Sequence, residues 1–454
     1  MSEGGEPDPG ARFLRLLWCD SAGLRRCKVI PMAELESTIQ KGLGLTKACM
    51  ACQIWADTCA PGAGLGALGE VRLMPVGNPI QLPWHPQHAI CLTSLHDPPG
   101  GQWSCCPRAA LARTIKQAVD AHGLEFHVGF ETELHLSRRQ VADAQRSGPD
   151  SCTAVDNSLY ADSLALDAMS PVLDTMAESL ERMGIGLVQF HAESGSGQFE
   201  VVTQHASPLI AADQLLLTRE ALTQVAARKG FRASLHPKPH AAGAGSGCHC
   251  HISLRHQVEG EDGESEAMHK GALGLTDWSR AFFAGMLAHL PGLMVFTMPS
   301  YHSYLRMQPG AWSGAYRVWG EQNKEAPLRL CTLEGFPEMT NMELKSMDST
   351  TNPYIALAAV ITAGLLGITK QMDLPHPYQE DPSHLSPDDA AAAGLEALPN
   401  SLAAALEALD HDKDLLEALE QTVGAELLQA FLGVRKAEAK HFDSEADAIL
   451  YQRY

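Results

Sequence analysis

Basic residues are in short supply: 34 Lys and Arg stand against 54 Asp and Glu in 454 residues, a formal net charge of −20. A surface of that sign repels phosphate backbones and anionic lipid, which excludes nucleic-acid and membrane-surface partners for the chain as a whole. A locally basic site for a phosphorylated substrate remains compatible with it. Long apolar runs are also missing, since Phe282–Met298 is broken by His289 and Pro291. Residues 1–11 (MSEGGEPDPGA) lack the apolar segment of a secretion signal and read as a frayed tail. A cytoplasmic location with reduced thiols is the expectation for the twelve cysteines. Cys49-x-x-Cys52 has no second pair at zinc-ribbon spacing, and Cys105-Cys106 are adjacent, so both are expected to be small packed residues. No internal repeat is evident.

What is present is ordinary in bulk and unusual in detail. Hydrophobic residues make up 45 % and charged residues 19 %, the balance of a globular protein. The length exceeds one average core and suggests two domains of an α+β protein. Arg12–Pro31 reads as strand, turn at Ser21-Ala22-Gly23, and strand; Glu70–Met74 and His88–Leu95 add further strands. Asp97-Pro98-Pro99-Gly100-Gly101 breaks regular structure, placing the boundary between a small domain (12–104) and a larger one (105–454). Helices are expected from Pro107 to Ala121, from a Ser170-Pro171 start, over Leu209–Lys229 and over Asn352–Lys370. Tyr378–Ala393 reads as a polar loop, and Leu402–Tyr454 as helical with a solvated face.

The chemistry-bearing residues sit on strand patterns. Successive strand residues face opposite sides, so His249 and His251 share a face while Cys248 and Cys250 take the other. Glu131 and Glu133 share a face within Leu124–Leu136 for the same reason. Glu193 and Glu200 flank a Gly/Ser bend between the strands Leu187–His191 and Gln198–Val202. Carboxylates brought together in this way repel one another unless a cation lies between them. Oxygen ligands with an imidazole suit Mg²⁺ or Mn²⁺ better than zinc.

The order and spacing of these motifs resemble the glutamine synthetase family. The resemblance rests on Glu131-x-Glu133, Glu193-x6-Glu200 and Gly245-Ser246-Gly247-x-His249-x-His251-x-Ser253-Leu254. It extends through Pro237-Lys238-Pro239, Ser303-Tyr304-Leu305-Arg306, Asn323–Arg329 (NKEAPLR), Asn341–Lys345 (NMELK) and Asn352-Pro353-Tyr354. It covers nearly the whole chain after the tail. It implies a β-grasp N-terminal domain before a glutamine synthetase-type catalytic α/β domain, assembled as stacked rings, a homo-oligomeric dodecamer or decamer with active sites between subunits. It further implies an ATP-dependent ligase, with ATP as co-substrate and two or more Mg²⁺ or Mn²⁺ ions per site, that activates the γ-carboxylate of L-glutamate as an acyl phosphate for attack by ammonia or an amine.

Carried over residue by residue, Glu133, Glu193 and Glu200 hold the metal nearest the amino acid, and Glu131, His249 and Glu343 the metal on the nucleotide phosphates. Arg306 pairs with a substrate carboxylate, beside Gly245, His249 and Lys345. Arg329 sits on the transferring phosphoryl group, and His251, Ser253 and Lys324 belong to the ATP site. Tyr160 corresponds to a tyrosine of the ammonium pocket. Asp57 is the nearest candidate for the acid that the small domain lends to a neighbour's site, although the surrounding FDGSS-like motif is absent.

Several positions depart from the family pattern. Lys324 and Lys345 stand in place of arginines, and a point charge does not reproduce a bidentate fork. Asn341 replaces another arginine, and Ala244 an asparagine. The largest departure is Trp312, within Arg306–Ala315 (RMQPGAWSGA), where the family's flap carries a glutamate that helps deprotonate ammonium. Tryptophan has no acid–base role but offers a large apolar face suited to an alkyl or aryl amine. The Gly-x-Trp flap and the Val318–Asn323 run resemble the FluG-like branch, here expected in stand-alone form without an amidohydrolase-like domain. The usual adenylylated tyrosine loop is not recognisable around Met372–Tyr378. Three readings follow: ligation to ammonia, ligation to an organic amine, and a catalytically weak scaffold.

Overall fold

The computed structural model describes residues 10–139, 152–157, 159–240, 243–257, 265–267, 275–336, 339–442 and 448–454. β1 (Phe13–Cys19) and β2 (Arg25–Pro31) form a hairpin whose turn includes Gly23 at φ 80°. A Cβ on Gly23 would lie 2.1 Å from the Thr350 carbonyl, so the turn is pressed against the larger half of the molecule. With α1 (Leu35–Lys41), β3 (Leu43–Thr46), β6 (Glu70–Gln81) and β7 (His88–His96), the hairpin builds a sheet ordered β2-β1-β7-β6-β3. β1 and β7 are its parallel pair, in the β-grasp manner. The short ribbon of β4 (Cys52–Gln53) and β5 (Ala56–Cys59) lies outside this sheet. β6 runs further than its first five residues suggest, because a register shift between Val76 and Ile80 takes Pro79 out of the ladder.

The second sheet holds β8 (Leu124–Arg139), β9 (Cys152–Ala154), β10 (Leu187–Ala192), β11 (Gln198–Thr203), β12 (Phe231–Ser234) and β13 (Cys248–Gln257). It also contains β14 (Ser265–Ala267), β15 (Trp319–Glu321), β16 (Leu328–Cys331) and β17 (Asn341–Leu344). Its main path is β10-β11-β8-β13-β17-β16-β15. The helices are α2 (Pro107–His122), α3 (Ser163–Arg182), α4 (Pro208–Arg228), α5 (Asp277–Ala288), α6 (Leu290–Thr297) and α7 (Pro353–Thr369), with others toward the C-terminus. α7 is buried along nearly its whole length, and its Asn352 cap accepts from the Tyr354 and Ile355 amides. Gly367 lets α7 touch α5, since a Cβ there would sit 2.0 Å from the Ala281 carbonyl. One continuous core reaches from Leu17 and Leu92 of the small sheet to Phe130 and Leu357 of the larger half.

Three local expectations are corrected. The helix placed at Ser170-Pro171 begins at Ser163, where Asp162 caps the Leu164 amide at 2.8 Å, and Pro171 lies inside it. Proline has no N–H for the Asp167 carbonyl four residues back, and the Ser170 hydroxyl donates to that carbonyl instead at 3.0 Å. The stretch Tyr378–Ala393 is not all loop: Ser386 caps a helix at Pro387–Ala392. The C-terminal segment is helical, but its face is not simply solvated. In Ala425–Phe442, Arg435 and Glu438 form a fully buried pair at 3.0 Å, and Arg435 also donates to the carbonyls of Pro299 and Ser21.

The described cysteines are free, with Cys52, Cys105 and Cys106 buried and Cys49 half-buried. No single helix among the described residues is long and apolar enough to cross a membrane. α5 and α6 reach that length only together, bent by 76°.

Candidate active site

The site is built by register. In β13, Cys248, Cys250, Ile252 and Leu254 enter the core, which turns His249 and His251 to the opposite face. Antiparallel pairing sets His249 against Glu131, His251 against Glu343, Arg329 against Glu343, and Glu200 against Glu133. Directly paired residues project to the same side, so four neighbouring strands and the strand beyond them deliver their polar side chains to one face.

Their contacts are short. His249 Nδ1 lies 3.2 Å from Glu343 and 3.5 Å from Glu131, and His249 Nε2 lies 3.7 Å from Glu133. His251 Nε2 is 3.1 Å from Glu131, while its Nδ1 meets Asn341 Oδ1 at 2.8 Å. Glu343, wholly buried, is paired with Arg329 and with Lys345 Nζ at 3.3 Å. Glu133 accepts from the Gln198 amide at 2.9 Å and the Gly247 N–H at 3.0 Å, which leaves its other oxygen facing His249. The Gly245–Gly247 loop is glycine for want of room. A Cβ at Gly245 would lie 2.6 Å from Arg306 Cβ, and one at Gly247 2.4 Å from the His249 ring.

Electrostatics divides these acids into two groups. Burial raises Glu343 and Glu131, but Lys345 and His249 for the first, and His249 and His251 for the second, outweigh it and hold both below the usual carboxylate range. Glu200 has no such relief. Burial, then the charges of Glu131, Glu133, Glu193 and Glu343, push it up to about 9, and Glu193 rises from burial and Glu133. An acidic face that raises its own members in this way fits divalent cations. Among the described residues, the side chains that cluster closely enough to ligate one are Glu131, His251 and Glu343; Glu131, Glu200 and His249; and His191, Glu193 and Glu200.

All of these residues but His251 line a cavity of about 530 Å³. Among the expected residues it brings together Glu131, Glu133, Tyr160, Glu193, Glu200, Gly245, His249, Arg306, Trp312, Lys324, Arg329, Glu343 and Lys345. His251 reaches it through Glu131, and Ser253 lies further along β13, paired with His127 and off the cavity wall. Asp57 stands apart, exposed on β5 and 3.5 Å from Arg26. Arg306 is buried and donates to the carbonyls of Lys345 and Met347 at 3.3 Å. Tyr160 is half exposed, its ring edge-on to His191 at 5.4 Å.

Two elements of the site escaped the sequence reading. His191 meets Glu193 at 3.1 Å and Glu200 at 3.9 Å; its alternation with Glu193 two residues on was the available signal. Glu325 holds the flap: its carboxylate accepts the Trp312 N–H at 2.8 Å and the Gly310 N–H at 3.3 Å, at 5 % exposure. Trp312 itself is left-handed, φ 52°, and the residue is 56 % exposed, with Lys324 Nζ 5.1 Å from the ring centre. Lys324 is thus engaged with the flap aromatic, a cation–π contact.

Comparison with known proteins agrees with this geometry. Residues 104–454 match the family model described as glutamine synthetase, catalytic domain. The gamma-glutamylpolyamine synthetase GlnA3 of Streptomyces coelicolor is 34 % identical over 98 % of this chain and 93 % of its own. Protein fluG of Emericella nidulans is 29 % identical over 95 % of this chain but only 47 % of its own length. A crystal structure of a novel glutamine synthase homolog superposes with a TM-score of 0.82 at 27 % identity, covering 99 % of both chains, and the ADP complex of GmaS with 0.80 at 27 %, covering 96 % of this chain and 95 % of that one. The chain belongs to the glutamine synthetase family. It is, more closely, an ATP-dependent glutamate ligase of a divalent-metal-dependent family, whose relatives include one named for a polyamine.

Proposed function

We propose that this ligase joins the γ-carboxylate of L-glutamate to an organic amine. The observation that carries this reading is Trp312: the flap residue presents an aromatic face to the cavity where an acid–base carboxylate would serve ammonium. Such a face holds an alkyl chain by apolar contact and an ammonium group by cation–π attraction, which makes alkylamines and polyamines the fitting class. The identity of the Streptomyces relative supports this choice.

In the proposed reaction the γ-carboxylate attacks the terminal phosphorus of ATP, releasing ADP and forming an acyl phosphate. The bound ammonium gives one proton to solvent, the freed amine nitrogen attacks the acyl carbon, inorganic phosphate leaves, and the nitrogen's second proton passes to solvent. Mg²⁺ or Mn²⁺ would be held by Glu133, Glu193 and Glu200, with His191 beside them, and by Glu131, His249 and Glu343, and when bound would neutralise phosphate charge. Arg329 is positioned to take an oxygen of the moving phosphoryl group. Arg306, with Gly245 leaving it room, orients a substrate carboxylate. Lys345 keeps Glu343 ionised, and His251 and Ser253 lead toward the nucleotide. Tyr160 borders the acceptor end. The division at residue 104, a cytoplasmic setting, and a dodecamer or decamer in which Asp57 serves a neighbour's site all belong to the same reading.

The test is phosphate release from ATP and L-glutamate with ammonium or a panel of alkyl, aryl and polyamines, with Glu133→Ala as control. Turnover restricted to organic amines is expected. Turnover with ammonium alone would return the protein to ammonia ligation. An intact assembly that binds ATP but turns over nothing would identify a scaffold.

A further inference from the structure

A second cavity, of about 430 Å³, shares no lining residue with the catalytic one. The β1–β2 hairpin, α4 and the C-terminal residues Gln452–Tyr454 form most of its wall. Arg15, Arg25, Arg26, Arg219 and Arg453 line it, and Glu220 is the one acidic side chain among its lining residues. In a chain of net charge −20 this is a local reversal of sign.

Only part of that charge is met inside the protein. Arg25 lies 3.3 Å and Arg15 3.7 Å from Glu220, and Arg26 is satisfied by Asp20 at 2.7 Å. Arg219 and Arg453 have no carboxylate partner among the described residues; Arg453 donates to the Ile54 carbonyl at 3.1 Å. Arg219 is 1 % exposed and spends its Nη atoms on Thr351, while its buried Nε has no partner among the described residues. Ser349, on the same wall, has a buried hydroxyl in the same condition. Buried donors without acceptors are costly, and an acceptor placed between them recovers that cost. Burial, and after it the Arg219 charge, also hold Arg25 below its ordinary value despite Glu220.

We propose that this cavity binds a small multivalent anion, presenting carboxylate or phosphate oxygens to Arg25, Arg219, Arg453 and Ser349. Planar guanidinium groups take such oxygens in pairs. The site is independent of the acceptor question, because it touches none of the ligase residues. Its connection to them is Arg219, whose Nη2 lies 3.9 Å from Cys248 Sγ, the neighbour of His249.

The experiment is calorimetric titration of the full-length protein, stripped of divalent ions on a chelating resin, with inorganic phosphate and separately with succinate at constant ionic strength. Saturable binding of one anion per chain is expected for at least one of the two, and the tighter of them identifies the oxygen source. Gln224→Glu puts a carboxylate into the wall at nearly unchanged shape. It should weaken binding about tenfold or more, as should Arg453→Gln, whereas Arg329→Gln in the catalytic cavity should leave it unchanged. The proposal is overturned by the absence of saturable binding at millimolar anion, by affinity that Gln224→Glu and Arg453→Gln leave alone, or by affinity that Arg329→Gln abolishes.

Discussion

The catalytic cavity has two kinds of wall, and they are built differently. On one side Glu131, His249, Glu343 and Arg329 project from paired strands, each fixed by register and by a neighbour within about 4 Å. On the other side Trp312 rides on a loop fixed by Glu325, with Lys324 Nζ 5.1 Å from its ring centre. In the reaction proposed above, the strand wall handles the charge that an ATP-driven acylation must handle, and the loop wall meets the acceptor, the part that differs between ligases. Chemistry that stays constant is carried on the sheet, and chemistry that varies is carried where backbone can change without disturbing a ladder.

Breaking the strand wall should cost most. Glu343→Ala removes a proposed metal ligand and strands Arg329 and Lys345, and phosphate release should fall by more than about 100-fold, beyond the usual loss for a residue supporting a ligand. A smaller, selective loss is expected on the loop. Trp312→Glu should lower kcat/KM for an alkylamine by about 10- to 100-fold while leaving the KM for ATP nearly unchanged, with ammonium turnover unchanged or raised. An unchanged kcat/KM for the alkylamine, or a loss matched by an equal rise in the KM for ATP, would remove the distinction between the walls.

Glu325→Ala sharpens the comparison from behind the flap. It leaves the Gly310 and Trp312 amides without their acceptor, and kcat/KM for the amine should fall about tenfold, with Glu325→Gln keeping part of the activity. A uniform loss of thermal stability without a change in acceptor KM would make Glu325 merely structural.

The smallest effect is on stability against pH. Glu200 titrates near 9 in the folded chain, above its unfolded value, so the native state binds the extra proton and stability falls as pH rises between about 5 and 9. His251, also raised when folded, adds to the same slope, whereas Glu131 and Glu343 are depressed and act only at lower pH. Melting curves of metal-free protein should show this decline, and Glu200→Gln should make it shallower, the raised His251 and Glu193 keeping part of it. A flat profile in the parent protein would contradict the electrostatic picture of the acidic face.

Much of the strand wall was legible because strand alternation is a strict period. Once Cys248 and Cys250 are assigned to the core, His249 and His251 have one direction left, and the same holds for Glu131 and Glu133. The glycines of Gly245–Gly247 and the cap at Asn352 were legible for equally local reasons. Glu325 was not, because its role depends on accepting amides from a loop 13 and 15 residues earlier, and no local period encodes that contact. Pro171 misled because a Ser-Pro pair starts helices more often than it continues them, and only the Ser170 side chain reveals the repair. The arginine cavity was invisible for a similar reason: it gathers residues from positions 15 to 453.

The missing Cβ of Gly247 has a last consequence, for how this protein would behave in a saturation library. The residue offers no side chain to substrate or metal, yet the His249 ring and an Arg306 nitrogen occupy the space where one would begin, 2.4 and 2.8 Å away. Even alanine would push the imidazole off Glu131 and Glu343 and the guanidinium off its carbonyls. The position would score as intolerant as the acids themselves, and a reader of that map would count as a functional group an atom the chain does not have.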